Sequence, residues 1–191
     1  MTKRVLTEKE REVRTYAEMW HTSWCLLKKG QEQPKGSHHQ FMASLVFTAF
    51  TLEAYLNHVG LKLFQCWNDL ERLGPNDKLN LIAEHIGLEI KRDRRPWQVM
   101  KDLFGFRNDI AHGKTVRLTS KEIVPLDKHQ EEGFPEFIPT KWENFCNQKN
   151  AERAREDVEA IIRAIHETAK IEDETPFAKG MQFRSSSLLD E

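Results

Sequence analysis

Apolar residues recur at steps of three and four along most of this chain, a spacing that predicts helices rather than strands. A first helix is predicted over 7–29, with Val13, Tyr16, Ala17, Trp20, Trp24 and Leu27 on one stripe. Thr7 and Glu10 stand at capping-box spacing before it, and Gly30 stops it. A second helix is predicted over 37–73. Its apolar residues, Phe41, Leu45, Phe47, Leu52, Leu56, Val59, Leu63 and Trp67, are too broad for one narrow stripe and mark a central element, with Gly60 at a close contact or bend. A short helix over 78–86 follows, capped by Asn76 or Asp77 and closed by Gly87. Trp97, Met100, Leu103, Phe104, Phe106, Ile110 and Ala111 define the next, with Pro96 in its first turn and Gly113 just past its end. The last helix spans 148–170, with Ala151, Ala154, Val158, Ile161, Ile162 and Ile165 inward.

Between 114 and 147 the helical period is lost. The short apolar runs Val116–Leu118 and Ile123–Leu126 are candidates for a small hairpin within this irregular insertion. The polar stretch 172–191 reads as a flexible tail. The expected architecture is therefore all-α: an up-and-down bundle of four to five helices in one domain over 7–171, with an insertion before the last helix.

Composition narrows the setting. The 191 residues are 39% hydrophobic and 31% charged, with 29 Lys and Arg against 30 Asp and Glu, so the net charge of -1 exerts no global pull on nucleic acid. The basic residues Lys91, Arg92, Arg94 and Arg95, interrupted by Glu89 and Asp93, form either a solvated connector or a local basic rim. The longest apolar stretch, 41–63, is broken by Ser44, Glu53, Asn57 and His58 and is too polar for a bilayer span. The first residues are charged where a signal peptide is apolar, and three widely spaced cysteines favour reduced thiols, so a cytoplasmic protein is expected. His21 and Cys25 have the spacing of a metal-ligand pair but no second pair joins them, and neither a metal nor a cofactor is expected.

Chemistry-bearing residues gather at the end of the helix over 96–112: Arg107, Asn108, Asp109 and His112. Arginine is a fixed cation, and histidine exchanges a proton near neutrality. Asn108 and His112 share a face, whereas Arg107 and His112 lie about 140° apart around a regular helix. One helix alone does not aim both at one atom, and a second copy across a two-fold axis completes such a site. Asp109 is placed to fix the His112 tautomer. Glu53, in the most apolar part of the chain, either faces solvent or meets a cation such as Arg107.

The run Arg107-Asn108-Asp109-Ile110-Ala111-His112, followed by Gly113, resembles the signature of HEPN (higher eukaryotes and prokaryotes nucleotide-binding) domains. The segment FTAFTLEAYLNHVG at 47–60 is similar to the second helix of several HEPN groups, and the likeness extends as architecture over Glu10 to Lys170. It implies a small helical bundle that dimerises through the motif-bearing helices. It further implies a metal-independent endoribonuclease acting on RNA, with Arg107, Asn108 and His112 catalytic, Asp109 and Glu53 supporting, and no cofactor. Toxin–antitoxin or antiviral-defence systems, with an antitoxin or defence protein as partner, are the settings the family implies. A non-catalytic HEPN-like dimer that binds nucleotide or protein is the alternative.

Overall fold

The computed structural model describes residues 4–121, 123, 125, 137–172 and 175–189. Among the described residues helices dominate, joined by one two-stranded sheet. In chain order the elements are β1 (Arg4–Arg11), α1 (Thr15–Glu32), α2 (His38–Leu63), α3 (Trp67–Leu70), α4 (Pro75–Ile86), α5 (Val99–Ala111), α6 (Lys141–Phe145), α7 (Gln148–Thr168) and β2 (Gln182–Leu189).

α2 is the central element, in contact with α1, α3, α4, α5 and α7. Leu45, Ala49, Leu52, Leu56 and Val59 put one face of it into the core and Phe41, Ser44, Thr48 and Tyr55 widen that face. α7 supplies Ala151, Ala154, Val158, Ile161, Ile162 and Ile165, the stripe its spacing predicts. Asn147 caps it by accepting a hydrogen bond from the Asn150 amide. Gly87 closes α4 in the left-handed region at φ 73°, where a residue without a side chain is least strained.

The all-α expectation is corrected at both ends of the chain. Residues 4–11 are a strand rather than the first turn of a helix, pairing antiparallel with 182–189 from Arg4↔Leu189 to Arg11↔Gln182. Helix α1 begins only at Thr15, so the Thr7/Glu10 capping box is not used and Val13 is exposed. The tail is tied down along α1 before it reaches the sheet. Phe177 stacks on Trp20 with ring centroids 4.7 Å apart, Lys179 pairs with Glu18 at 3.0 Å, and the Glu12 amide donates to the Met181 carbonyl at 2.9 Å.

Interior boundaries also differ from expectation: α1 runs through Gly30 to Glu32, and α4 begins at Pro75 after Gly74, with no side-chain cap from Asn76 or Asp77. α2 stops at Leu63 because Phe64 turns extended and Trp67 folds back, its indole occupying the space a side chain on Gly60 would need. α5 starts at Val99 rather than Pro96, since 94–98 turns through bonds from Gln98 to Arg94 and from Val99 to Pro96. The insertion is not wholly irregular, because Thr140 and Glu143 form the capping box of α6, with the Thr140 amide donating to Glu143 at 2.7 Å. Hydrogen bonds from Thr140 hold the Glu143 carboxyl below its ordinary value. Residues 116–118 form no strand, and part of the second apolar run, 123–126, lies outside the described residues.

Candidate functional site

Helix α5 buries Val99, Met100, Leu103, Phe104 and Phe106 against α2, α6 and α7, with Phe106 and Phe145 ring centroids 5.3 Å apart. Arg107 follows on the margin of that face, so its side chain lies against α2 instead of pointing to solvent. Its Nη2 donates to Glu53 at 2.6 Å, with the two side chains 21% and 24% exposed. Of the two fates open to Glu53, the structure takes the cation. The Arg107 Nη1 donates to the Asn108 side-chain oxygen at 3.0 Å, and the guanidinium carbon lies 5.7 Å from the Phe50 ring centre. The Nε of Arg107 is buried with no hydrogen-bond partner among the described residues.

His112 sits where α5 ends. Its backbone leaves the helical region at φ -117°, ψ 18°, while its amide still donates to the Asn108 carbonyl at 2.9 Å. The imidazole is exposed and makes no hydrogen bond to a described residue. Asp109 is exposed as well, and no Asp109–His112 hydrogen bond forms among the described residues, in contrast to the expected tautomer-fixing contact. Departure of His112 from the helix accounts for this, because the i,i+3 proximity of the two side chains holds only while both are helical. Gly113 is needed at the next position, since a side chain there would start 2.9 Å from the Asp109 carbonyl oxygen.

Within one chain, then, Arg107, Glu53 and Asn108 form a connected cluster and His112 and Asp109 do not join it. The cluster offers a guanidinium with one carboxylate already on it, and His112 offers a solvated proton carrier one turn on.

Other polar groups complete the picture. The basic run is largely neutralised: Lys91 pairs with Glu89 at 3.1 Å, Arg94 with Asp93 at 3.2 Å, and Arg95 with Glu156 at 2.9 Å and Asp157 at 2.6 Å. Hydrogen bonds to Glu156 and Asp157 raise the Arg95 pKa. Arg92 is held by amide oxygens of Asn76 and Asn80. That arrangement favours the connector over a basic rim. His21 and Cys25 approach to 3.6 Å, but no group of three His, Cys, Asp or Glu ligands assembles among the described residues.

Among the described residues two cations are buried, Lys78 and Arg155. Lys78, 2% exposed, donates to the Asn57 side chain at 2.8 Å. Nothing in its short helix sets it apart from a surface lysine. Arg155 is 9% exposed and donates to the Trp20 carbonyl at 3.0 Å and to Ser23 Oγ, with its guanidinium carbon 3.6 Å from the Trp20 ring centre. Burial lowers its pKa to about 10. Its signal was position: four residues after Ala151 and three before Val158, it lies on the apolar stripe of α7.

No protein-family model, curated protein or solved structure matches this chain. Among the described residues, no helix is long and apolar enough to cross a membrane.

Proposed function

We propose that this chain is a metal-independent endoribonuclease of HEPN type, folded as an up-and-down bundle of four to five helices and acting as a homodimer through its motif-bearing helices. The observation that carries the reading is the Arg107 cluster: a guanidinium anchored to α2 by Glu53 and to Asn108, with the exposed His112 at the end of the same helix. Arg107 and His112 diverge within one chain, so the working site pairs Arg107 of one copy with His112 of the other. The RNA 2′-hydroxyl attacks the neighbouring phosphorus and the bond to the 5′-oxygen breaks. His112 takes the hydroxyl proton or protonates the leaving oxygen, and Arg107 holds the equatorial phosphate oxygens, with Asn108 orienting the guanidinium. A cytoplasmic toxin or phage-defence role, with an antitoxin or defence protein as partner, accompanies this reading.

A second reading rests on the same ion pair. Glu53 already neutralises Arg107, as suits a non-catalytic HEPN-like dimer that binds nucleotide or protein, with His112 merely ending its helix.

RNA cleavage by the purified chain, with and without EDTA, separates the two. The nuclease yields 2′,3′-cyclic phosphate and 5′-hydroxyl ends, spares DNA and 2′-O-methyl RNA, and ignores EDTA. No cleavage across a varied RNA panel decides for the binding module, and abolition by EDTA rules out the mechanism.

A further inference from the structure

The β1–β2 ribbon rests neither face on the helices. Every residue of β1 and residues 182–188 of β2 are exposed, with Val5, Leu6, Phe183 and Leu188 at 52%, 47%, 58% and 64%. A lone two-stranded ribbon is at best marginally stable in water, and each of its edges is a row of unpaired backbone donors and acceptors that templates another strand.

The two edges differ in what they offer. Residues 182–188 of β2 carry a single charge, Arg184, and nothing of opposite sign to meet it in a second β2. β1 carries both signs, with Arg4, Lys9 and Arg11 against Glu8 and Glu10. Two copies of a strand related by a two-fold axis normal to the sheet run antiparallel, and opposed residues share a face. With the axis at Leu6, that residue faces its own copy. Arg4 then faces Glu8 of the second copy, with Glu10 of that copy on the diagonal, and the pairing occurs twice; the overlap of described residues is 4–8, beyond which Lys9 falls opposite position 3, a lysine outside the described residues. Val5, the cross-strand neighbour of Leu188 within the ribbon, meets the other Val5 diagonally. The exposed Leu188 and Val5 side chains of two copies thereby line up as one apolar band over four strands. Moving the axis to Thr7 sets Leu6 against Glu8, and moving it to Glu8 opposes two carboxylates.

We infer that β1 pairs with β1 of a second copy of this chain across a two-fold axis at Leu6, making a four-stranded antiparallel sheet in the order β2–β1–β1–β2. The inference does not depend on the ribonuclease reading.

Register-specific crosslinking tests it in the full chain carrying Cys25→Ser and Cys66→Ser. Leu6→Cys is expected to form a disulfide-linked dimer under mild oxidation at least about tenfold faster than Glu8→Cys, because only the residue on the axis faces itself. Adding Glu8→Arg to Leu6→Cys should slow crosslinking about tenfold, and adding Arg4→Glu as well should restore it, which a misfolded variant would not do. Absence of the Leu6→Cys crosslink, or a rate indifferent to Glu8→Arg, overturns the inference. So does a dimer seen by light scattering in a chain that fails to crosslink, since the α5 contact of the proposed homodimer would then account for the whole assembly without β1.

Discussion

Arg155 and Arg107 both lie beside an aromatic ring, yet their charges are met in opposite ways. Arg155 is buried between α7 and α1, with its guanidinium carbon 3.6 Å from the Trp20 ring centre and neutral oxygens, Trp20 O and Ser23 Oγ, as its hydrogen-bond partners among the described residues. Behind it a hydroxyl chain continues: Ser23 to Thr48 at 2.7 Å, and Ser44 to the Ser23 carbonyl at 2.9 Å. Arg107 keeps a fifth of its side chain in solvent, 5.7 Å from Phe50, and has a carboxylate. A buried cation with no carboxylate bonded directly to it, only the charge of Glu159 one turn on, persists where the surrounding acceptors are fixed, so Arg155 belongs to the framework. Arg107 is a partly exposed cation with one carboxylate on it, and only under the ribonuclease reading does a phosphate compete with Glu53 for it.

The sharpest way to break this contrast is to truncate both residues. Arg155→Ala removes a cation from a closed site, empties the space beside the Trp20 ring and takes one partner from Ser23 and the Trp20 carbonyl, so urea unfolding should show a loss of about 3 kcal/mol or more. A loss below about 1 kcal/mol would place Arg155 with the surface arginines. Arg107→Ala should cost about 0.5–1 kcal/mol, the figure for a partly exposed ion pair after solvent screening. Under the ribonuclease reading the same variant, and Arg107→Lys with its charge kept, should lower cleavage about 10²-fold or more, because the planar fork is lost. Retention of the wild-type rate in Arg107→Ala would detach the cluster from the chemistry.

The smallest effect belongs to Cys146, whose thiol is buried, donates to the Trp142 carbonyl at 3.2 Å, and is pushed up by burial to about 11 from 9.0. Between those values the folded state holds a proton that the unfolded state has lost, so stability should fall as pH rises through that window. The fall should be smaller in Cys146→Ala by that one group's contribution when urea midpoints are compared across the window. Native labelling with a maleimide should reach the exposed Cys25 and Cys66 well before Cys146, and equal rates at neutral pH would count against its burial.

The elements legible in the sequence are those whose information is local. α2, α4, α5 and α7 follow their apolar spacing, and Gly87 and Gly113 stop helices for reasons visible in one or two residues. β1 was hidden because its charged sequence lacks an alternating apolar face and its partner lies at the far end of the chain, so only a long-range pairing defines it. Thr7 and Glu10 even mimic a helix start that the paired strand overrides, whereas the same spacing at Thr140 and Glu143, a real cap, lay in a segment read as irregular. The residue types and spacing of Arg107, Asn108, Asp109 and His112 are visible in the sequence, which leaves Glu53 two fates, solvent or a cation, between which only the packing of α5 on α2 chooses. The separation of His112 from Asp109 was not foreseen, because it depends on the last residue of the helix unwinding.

The ribbon also determines how the molecule bears load. Arg4 and Leu189 are cross-strand neighbours at its outer end, and Arg11 and Gln182 at its inner end. A pull on the chain before Arg4 and after Leu189 therefore acts across the strands, along the hydrogen bonds, and strains them one after another from the outer end inward. Strands loaded this way peel apart like a zipper rather than sliding as a unit. Tension should open the ribbon at low force and lengthen the tether before any helix is disturbed, making β1 and β2 a mechanical fuse for the helical body.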